Sequence, residues 1–324
     1  MPAVPPPRPK VLMVSSMPDW DLAPMREVYD LVDLPAGGPP ALAEVGDIKA
    51  LVTSGGRGAE AALIEALPAL ELIAVYGVGY DKVDLAAAAR HNVAVTNTPD
   101  VLTADVADMA LTLTLALARR IVDGDAFVRS GAWTEGSMSL TGSVSGRKIG
   151  IVGLGRIGEA IARRFAGFDT EIGYWNRSPK TSSPWRAFPT PVALAAWSDI
   201  LVVAVAGGGE TAGLVDAATI AALGRDGLLV NISRGTTIDE AALIAALESR
   251  AIAGAGLDVF LNEPTIDPRF LRLANVVLSP HQGSATMATR QAMGALVRAN
   301  LAAHFAGDAL PTPVLGRSYE PSLS

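Results

Sequence analysis

A chain of 324 residues that is 50% hydrophobic and 18% charged, with a mean hydropathy of +0.33, has material for two domains with their own cores and does not read as disordered. The 33 acidic and 26 basic residues leave a formal charge of −7, which argues against a nucleic acid or an anionic membrane surface as partner. With no cysteine there is no disulfide, no thiolate nucleophile and no Cys-ligated metal, and His91, His281 and His304 are the only imidazoles.

Met1 to Lys10 is proline-rich, lacks the apolar core of a signal peptide and reads as an extended leader, so a cytoplasmic protein is expected. Beyond it, short apolar runs alternate with helical segments. Strands are predicted near Val11–Val14, Ala50–Thr53, Leu72–Val75 and Val93–Thr96, and helices around Pro24–Leu31, Glu60–Leu67 and Asp84–Arg90. This alternation implies a parallel sheet, and residues 1–100 should form a small open α/β domain. Thr103–Arg120 predicts a long buried helix that crosses between domains, with Asp100 or Thr103 available as its cap. Its apolar part, Val106–Leu117, contains Asp108 and falls short of the ~18 uninterrupted apolar residues of a membrane span.

The stretch Lys148 to Gly158 holds a G-x-G-x-x-G pattern, Gly153, Gly155 and Gly158, between a β-branched strand (Ile149–Val152) and a helical segment opened by Arg156 and Ile157. That position makes it a dinucleotide-binding turn. Gly153 permits the bend, Gly155 lets backbone approach a pyrophosphate, and Gly158 lets helix pack on strand, while the helix N-terminus offers free N–H groups to the phosphates. A second strand, Glu171–Trp175, ends where an acid that binds the ribose 2′-OH is expected. Asn176 stands there instead, followed by Arg177, Ser178 and Lys180. Donors and positive charge at this place suit the 2′-phosphate of NADP(H), with NAD(H) as the other cofactor and an ordinary solvated turn as the competing reading.

Further strands are predicted at Leu201–Val205, Leu228–Ile232, Gly254–Val259 and Val276–Ser279, making six with the first two, the number in two mononucleotide-binding halves. The cofactor domain is therefore placed at residues 101–285. The final helix, Ala285–Phe305, should return to the first domain, which becomes discontinuous: 1–100 plus 286–324. Asp81, Asp84, Asp105 and Asp108 lack clustered His or Cys, and no metal is predicted. His91 and His304 are assigned to structure.

Several segments together resemble the D-isomer-specific 2-hydroxyacid dehydrogenase family. They are Tyr76-Gly77-Val78-Gly79-Tyr80-Asp81-Lys82-Val83-Asp84, Val95-Thr96-Asn97-Thr98-Pro99, the turn from Val152 to Gly158, Val230-Asn231-Ile232-Ser233-Arg234-Gly235, Gly256-Leu257-Asp258-Val259-Phe260-Leu261-Asn262-Glu263-Pro264, and Ser279-Pro280-His281-Gln282-Gly283-Ser284. The match covers nearly the whole chain. It implies an α/β fold of two open parallel-sheet domains: a flavodoxin-like, discontinuous substrate domain and an inserted Rossmann-type cofactor domain.

The chemistry of the residues agrees. Reducing a 2-oxo acid needs a hydride donor, a proton donor for the carbonyl oxygen, and a cation that holds the carboxylate and polarises the carbonyl. His281 is the candidate acid in reduction and base in oxidation. Glu263 would favour its imidazolium form and hold one ring nitrogen. Arg234 offers a planar fork of donors to the substrate. Each follows an apolar strand, the place where open α/β sheets bind ligands.

The resemblance also implies substrate contacts from the backbone of Val78 and Gly79, and cofactor contacts from Thr103, Thr211, Ile232, Asp258 and Gly283. A helix-capping Thr103 and a buried structural Asp258 are equally open. Two segments depart from the family pattern. Ala206-Gly207-Gly208-Gly209-Glu210-Thr211 keeps Glu-Thr but lacks the usual proline, and Gly131–Leu140, which in the family helps to form a homodimer and can reach the neighbour's active site, is individual.

The sequence thus reads as a cytoplasmic, homodimeric, NADP(H)-preferring reductase of small 2-oxo acids, similar to glyoxylate and hydroxypyruvate reductases. Alternatives are a cofactor-sensing scaffold like the family's corepressors, or a dehydrogenase acting on phosphite, formate or phosphoglycerate. The last is less attractive, because such enzymes often carry a C-terminal regulatory domain and this chain stops at Ser324.

Overall fold

The structure is a computed structural model and describes residues 7–34, 47–178, 180 and 182–316. The first six residues of the expected leader lie outside them. The chain divides into two compact units, Met1–Leu102 with Thr286–Ser324, and Thr103–Ala285.

In the first unit, β1 (Lys10–Met13), α1 (Asp19–Val28), β2 (Asp30–Asp33), β3 (Ile48–Ser54), α2 (Ala61–Glu65), β4 (Leu72–Tyr76), α3 (Leu85–Arg90) and β5 (Ala94–Thr96) follow one another. The second unit runs α4 (Thr103–Ala118), α5 (Ile121–Arg129), β6 (Lys148–Val152), α6 (Arg156–Ala166), β7 (Glu171–Trp175), β8 (Arg186–Ala187), α7 (Pro191–Trp197) and β9 (Ile200–Val203). It continues with α8 (Ala217–Leu223), β10 (Leu228–Asn231), α9 (Glu240–Glu248), β11 (Gly254–Leu257) and β12 (Val276–Leu278), after which α10 (Met287–Ala306) and β13 (Pro313–Leu315) complete the first unit.

The first sheet has the order β13-β5-β4-β3-β1-β2. Its parallel part is the flavodoxin-like 2-1-3-4-5 arrangement, and β13 adds an antiparallel edge through Leu315 opposite Val95. Strand β4 is buried along its whole length, as a central parallel strand covered on both faces must be. The predicted helix Pro24–Leu31 is corrected. The helix starts at Asp19 and stops at Val28, Pro24 lies inside it, and Asp30–Asp33 is extended because it pairs with β1. Asp19 and Asp21 in the first turn suit the positive end of the helix.

Asp21 is fully buried and forms an ion pair with Arg298 of α10. Gly294 makes room for it, since a Cβ at that position would lie 2.2 Å from the Asp21 carboxyl carbon. His304, its side chain 6% exposed, sits 3.3 Å from Glu71 and packs edge-on against Phe305, a structural placement.

The second sheet has the order β12-β11-β10-β9-β6-β7-β8. Renumbered from β6, it is the 3-2-1-4-5-6 dinucleotide-binding order with one strand added at the far edge. The unit therefore has seven strands where six were predicted: β8 is two exposed residues and carries no apolar signal. The long helix at Thr103 ends at Ala118, Arg120 turns left-handed (φ 49°), and a separate α5 follows. Helix α4 belongs to the second unit, where it packs on α6 and on β10 to β12. Glycines of β11 let it come close: a Cβ at Gly256 would lie 3.1 Å from the Leu113 Cβ. Among the described residues no helix is long and apolar enough to cross a membrane.

Register fixes where function can sit. Val152, Val203, Asn231, Leu257 and Leu278 are level across β6, β9, β10, β11 and β12. The residues that follow them, from Gly153 to His281, therefore emerge at the carboxyl ends of the parallel strands of one sheet.

Candidate active site

The turn after β6 gives each glycine a different reason. Gly153 has φ +100°, and a Cβ there would lie 2.7 Å from Val205 Cγ1. A Cβ at Gly158 would meet the Gly153 carbonyl oxygen at 2.0 Å. Above Gly155 there is nothing within 4 Å, the open approach a pyrophosphate needs. With Arg156 and Ile157 opening α6 beside it, the turn fits a dinucleotide at a helix N-terminus. Ala160, Ile161 and Phe165 of α6 are buried.

Asn176 has a task that its position in the sequence did not reveal. Its Oδ1 accepts the Leu154 N–H at 2.6 Å, tying the end of β7 to the glycine turn. The exposed Arg177 guanidinium forms an ion pair with Glu210, in the loop after β9, and exposed Ser178 follows it. Lys180 turns back to Glu159 of α6. Thr211, expected to touch the cofactor, donates its hydroxyl to Ala206 O (2.7 Å) and closes its own loop, in which Gly208 takes φ +133°.

Past β10 the chain is held by a buried network. The Asn231 Oδ1 accepts from Ser233 N (3.0 Å) and Ser233 Oγ (2.9 Å), while its Nδ2 donates to Arg234 O (3.0 Å), which also takes the Thr237 hydroxyl at 2.6 Å. Ile232 is buried below, and Arg234 Nη1 reaches its neighbour's carbonyl, Ser233 O, at 2.8 Å. Gly235 then presses on the loop after β11: a Cβ there would lie 2.0 Å from the Phe260 carbonyl carbon.

That loop presents Glu263. Its Oε1 accepts the Phe260 N–H at 2.9 Å, and its Oε2 lies 2.7 Å from His281 Nδ1. Burial pushes the Glu263 carboxyl up, but the hydrogen bonds from His281 and the Phe260 N–H, with the charges of His281 and Arg234, outweigh it and hold the group below the ordinary carboxylate range. Because the folded value is depressed, the stabilisation is present above the ordinary carboxylate value and is lost only as pH falls through the lowered one. Glu263→Gln should therefore lose less stability on acidification than wild type, read from denaturant midpoints across a pH series; an equal loss would break the coupling.

His281 has φ 55°, and its N–H donates to Asp258 O at 2.9 Å. The Asp258 carboxylate, 2% exposed, organises the same segment. Its Oδ1 accepts from Ser279 Oγ (2.6 Å) and Gln282 N (2.7 Å), and its Oδ2 from Gly283 N (2.8 Å). A Cβ at Gly283 would crowd that oxygen at 2.9 Å, so glycine is required there. With Nδ1 on Glu263, the His281 side chain is 42% exposed and Nε2 is the ring nitrogen that Glu263 does not hold.

Arg234, Glu263 and His281 are thus gathered past the carboxyl ends of β10, β11 and β12, in the same unit as the glycine turn. Thr103, in that unit, is half-buried and opens α4. Val78 and Gly79 belong to the first unit, half-buried past β4, where Asn97 Nδ2 holds Val78 O at 2.9 Å. Sequence reasoning missed Ser279 and Glu240, whose Oε2 accepts the Leu261 N–H at 2.9 Å. Ser279 stood inside a quoted motif, whereas Glu240 carries no spacing signal. Among the described residues no group of three His, Cys, Asp or Glu is arranged to hold a metal.

Residues 111–283 match the NAD binding domain of the D-isomer specific 2-hydroxyacid dehydrogenases. The chain belongs to that family, whose members are oxidoreductases acting on CH–OH donors. Among its relatives, 2-ketogluconate reductase of Gluconobacter oxydans is 49% identical over 268 residues, 83% of this chain and 86% of that protein. Hydroxyphenylpyruvate reductase of Plectranthus scutellarioides matches with the same identity and coverage. The NADPH-dependent glyoxylate/hydroxypyruvate reductase of Sinorhizobium meliloti, solved with NADP and malonate, superposes with a TM-score of 0.90 at 41% identity, over 95% of this chain and 97% of its own.

Proposed function

We propose that the protein reduces small 2-oxo acids, glyoxylate and hydroxypyruvate among them, to D-2-hydroxy acids, with NADPH preferred over NADH. The observation that carries this reading is the 2.7 Å contact between His281 Nδ1 and Glu263 Oε2, in a domain with an open dinucleotide turn. NADPH held at the Gly153–Gly158 turn would supply hydride for the carbonyl carbon. His281 delivers the proton to the carbonyl oxygen from Nε2, while Glu263 holds the other nitrogen. Arg234 offers its paired donors to the substrate's carboxylate and carbonyl, lowering the cost of charge that develops on oxygen.

Arg177 is the proposed partner of the 2′-phosphate, which would take over the guanidinium from Glu210. An Arg177→Asp variant should shift preference from NADPH toward NADH by roughly tenfold or more, since a charge-assisted hydrogen bond worth about 1.5–3 kcal/mol is replaced by repulsion. The ratio of kcat/KM for the two cofactors reads this, and an unchanged ratio would sink the assignment.

The reading includes a cytoplasmic homodimer joined through α5 and the segment after it, where Ile121, Val122, Val128, Trp133 and Leu140 are exposed, Leu140 almost completely. Apolar surface of this kind suits a partner subunit. A second reading, a longer or aromatic 2-oxo acid, is favoured by the 49% identity to the 2-ketogluconate and hydroxyphenylpyruvate reductases. Initial rates with glyoxylate, hydroxypyruvate, pyruvate, 2-ketogluconate and hydroxyphenylpyruvate separate the two. Highest kcat/KM with the two- and three-carbon acids supports the first reading, and highest kcat/KM with the larger ones replaces it with the second.

A further inference from the structure

We infer that Glu240 is a positioning residue for the His281–Glu263 pair, acting through the backbone of the turn at Phe260–Leu261. The inference rests on the reading of His281 as proton donor.

Two consecutive N–H groups in that turn are each held by a carboxylate. Phe260 N–H goes to Glu263 Oε1 (2.9 Å), a residue that the turn itself presents. Leu261 N–H goes to Glu240 Oε2 (2.9 Å), which comes from a different element. The aim of Glu263 Oε2 at His281 depends on the Phe260 N–H to which its other oxygen is fastened. That N–H keeps its direction only if the peptide following it does, and Glu240 holds that peptide.

The clamp is itself rigid. Glu240 opens α9, whose start is fixed by the Asp239 side chain accepting from Ala242 N at 3.0 Å. On the other side the turn is pinned by Gly235, where no Cβ fits, and by buried Phe260. Leu261 is 47% exposed and adds little anchorage. Besides His281, the charge that bears on Glu263 is that of Arg234, after β10.

A glutamate in a first helical turn also has a plain structural use, through its charge. Glutamine separates the two roles, because its carboxamide oxygen still accepts the Leu261 N–H while the charge is gone.

The experiment is NMR of the imidazole N–H groups in the ligand-free full chain, where three histidines make assignment direct and His281→Asn identifies the signal. In Glu240→Ala the His281 Nδ1–H signal that reports its contact with Glu263 should broaden or leave its wild-type position, as in Glu263→Gln, and Glu240→Gln should restore it. Turnover of 2-oxo acid by Glu240→Ala should fall about tenfold in kcat, the scale of loss when an outer-shell support is removed, with NADPH affinity unchanged and recovery again in Glu240→Gln. A Glu240→Ala protein with wild-type signal and turnover overturns the inference, and so does a Glu240→Gln protein as impaired as Glu240→Ala. The NMR reading needs neither substrate nor cofactor. A wild-type enzyme that reduced no 2-oxo acid would thus end the functional reading while leaving the positional one to be judged by the NMR signal.

Discussion

Replacing His281 by Asn should cut kcat for 2-oxo acid reduction by about 10²–10⁴-fold, the usual contribution of a positioned general acid. Cofactor affinity should stay as in wild type. Asn is the informative choice for two reasons. It offers no titratable proton, and it tolerates the left-handed backbone (φ 55°) at this position better than Ala would. The Asp258 hydrogen bonds to Gln282 N and Gly283 N are untouched by the change, so the loop should keep its course. Steady-state rates and a fluorescence titration with NADPH read the two effects separately. Near-normal kcat would remove His281 from the chemistry, and lost cofactor binding would give it a different role.

The other large effect is on stability. Asp21 is fully buried on α1, one of its oxygens has no hydrogen-bond partner among the described residues, and its charge is met by Arg298 from α10. Arg298→Met should cost about 3 kcal/mol or more, because it strands a carboxylate away from water instead of merely removing an attraction. The pair itself need not be a strong stabiliser: its formation is offset by the desolvation of both ions. Hence the double variant Asp21→Asn/Arg298→Met, which removes the buried charge at nearly constant shape, should regain more than half of the loss. Denaturant unfolding of the three variants beside wild type measures both values. Equal stability of Arg298→Met and wild type would show that the carboxylate is neutral or hydrated in the folded protein.

What the sequence made legible followed physical periodicity. Ile149–Val152 and Leu228–Ile232 announce themselves as buried parallel strands because both faces are covered, and Gly153, Gly155 and Gly158 are informative because strand and helix flank them. Strand β8 was invisible for the opposite reason: Arg186 and Ala187 are exposed, and two residues make no pattern. Asp30 and Leu31, the first half of strand β2, read as the end of a helix because the strand's pairing with β1 is a tertiary fact. At the candidate site, Arg234, Glu263, His281 and the supporting Asp258 could be named from motifs, yet the contacts made by Asn176 and Glu240 could not. Asn176 looked like a ligand residue and also braces the turn through Leu154. Glu240 lies 21 positions from Leu261, and only the fold brings a carboxylate from one helix to an N–H of a distant loop.

The central claim is the transfer of hydride and proton to a 2-oxo acid with D stereochemistry. Its most direct test is to incubate the purified protein with hydroxypyruvate and NADPH, follow the loss of nicotinamide absorbance, and determine the configuration of the glycerate formed. One D-glycerate per NADPH oxidised is the predicted result. L-glycerate, or no oxidation of NADPH, would contradict the account.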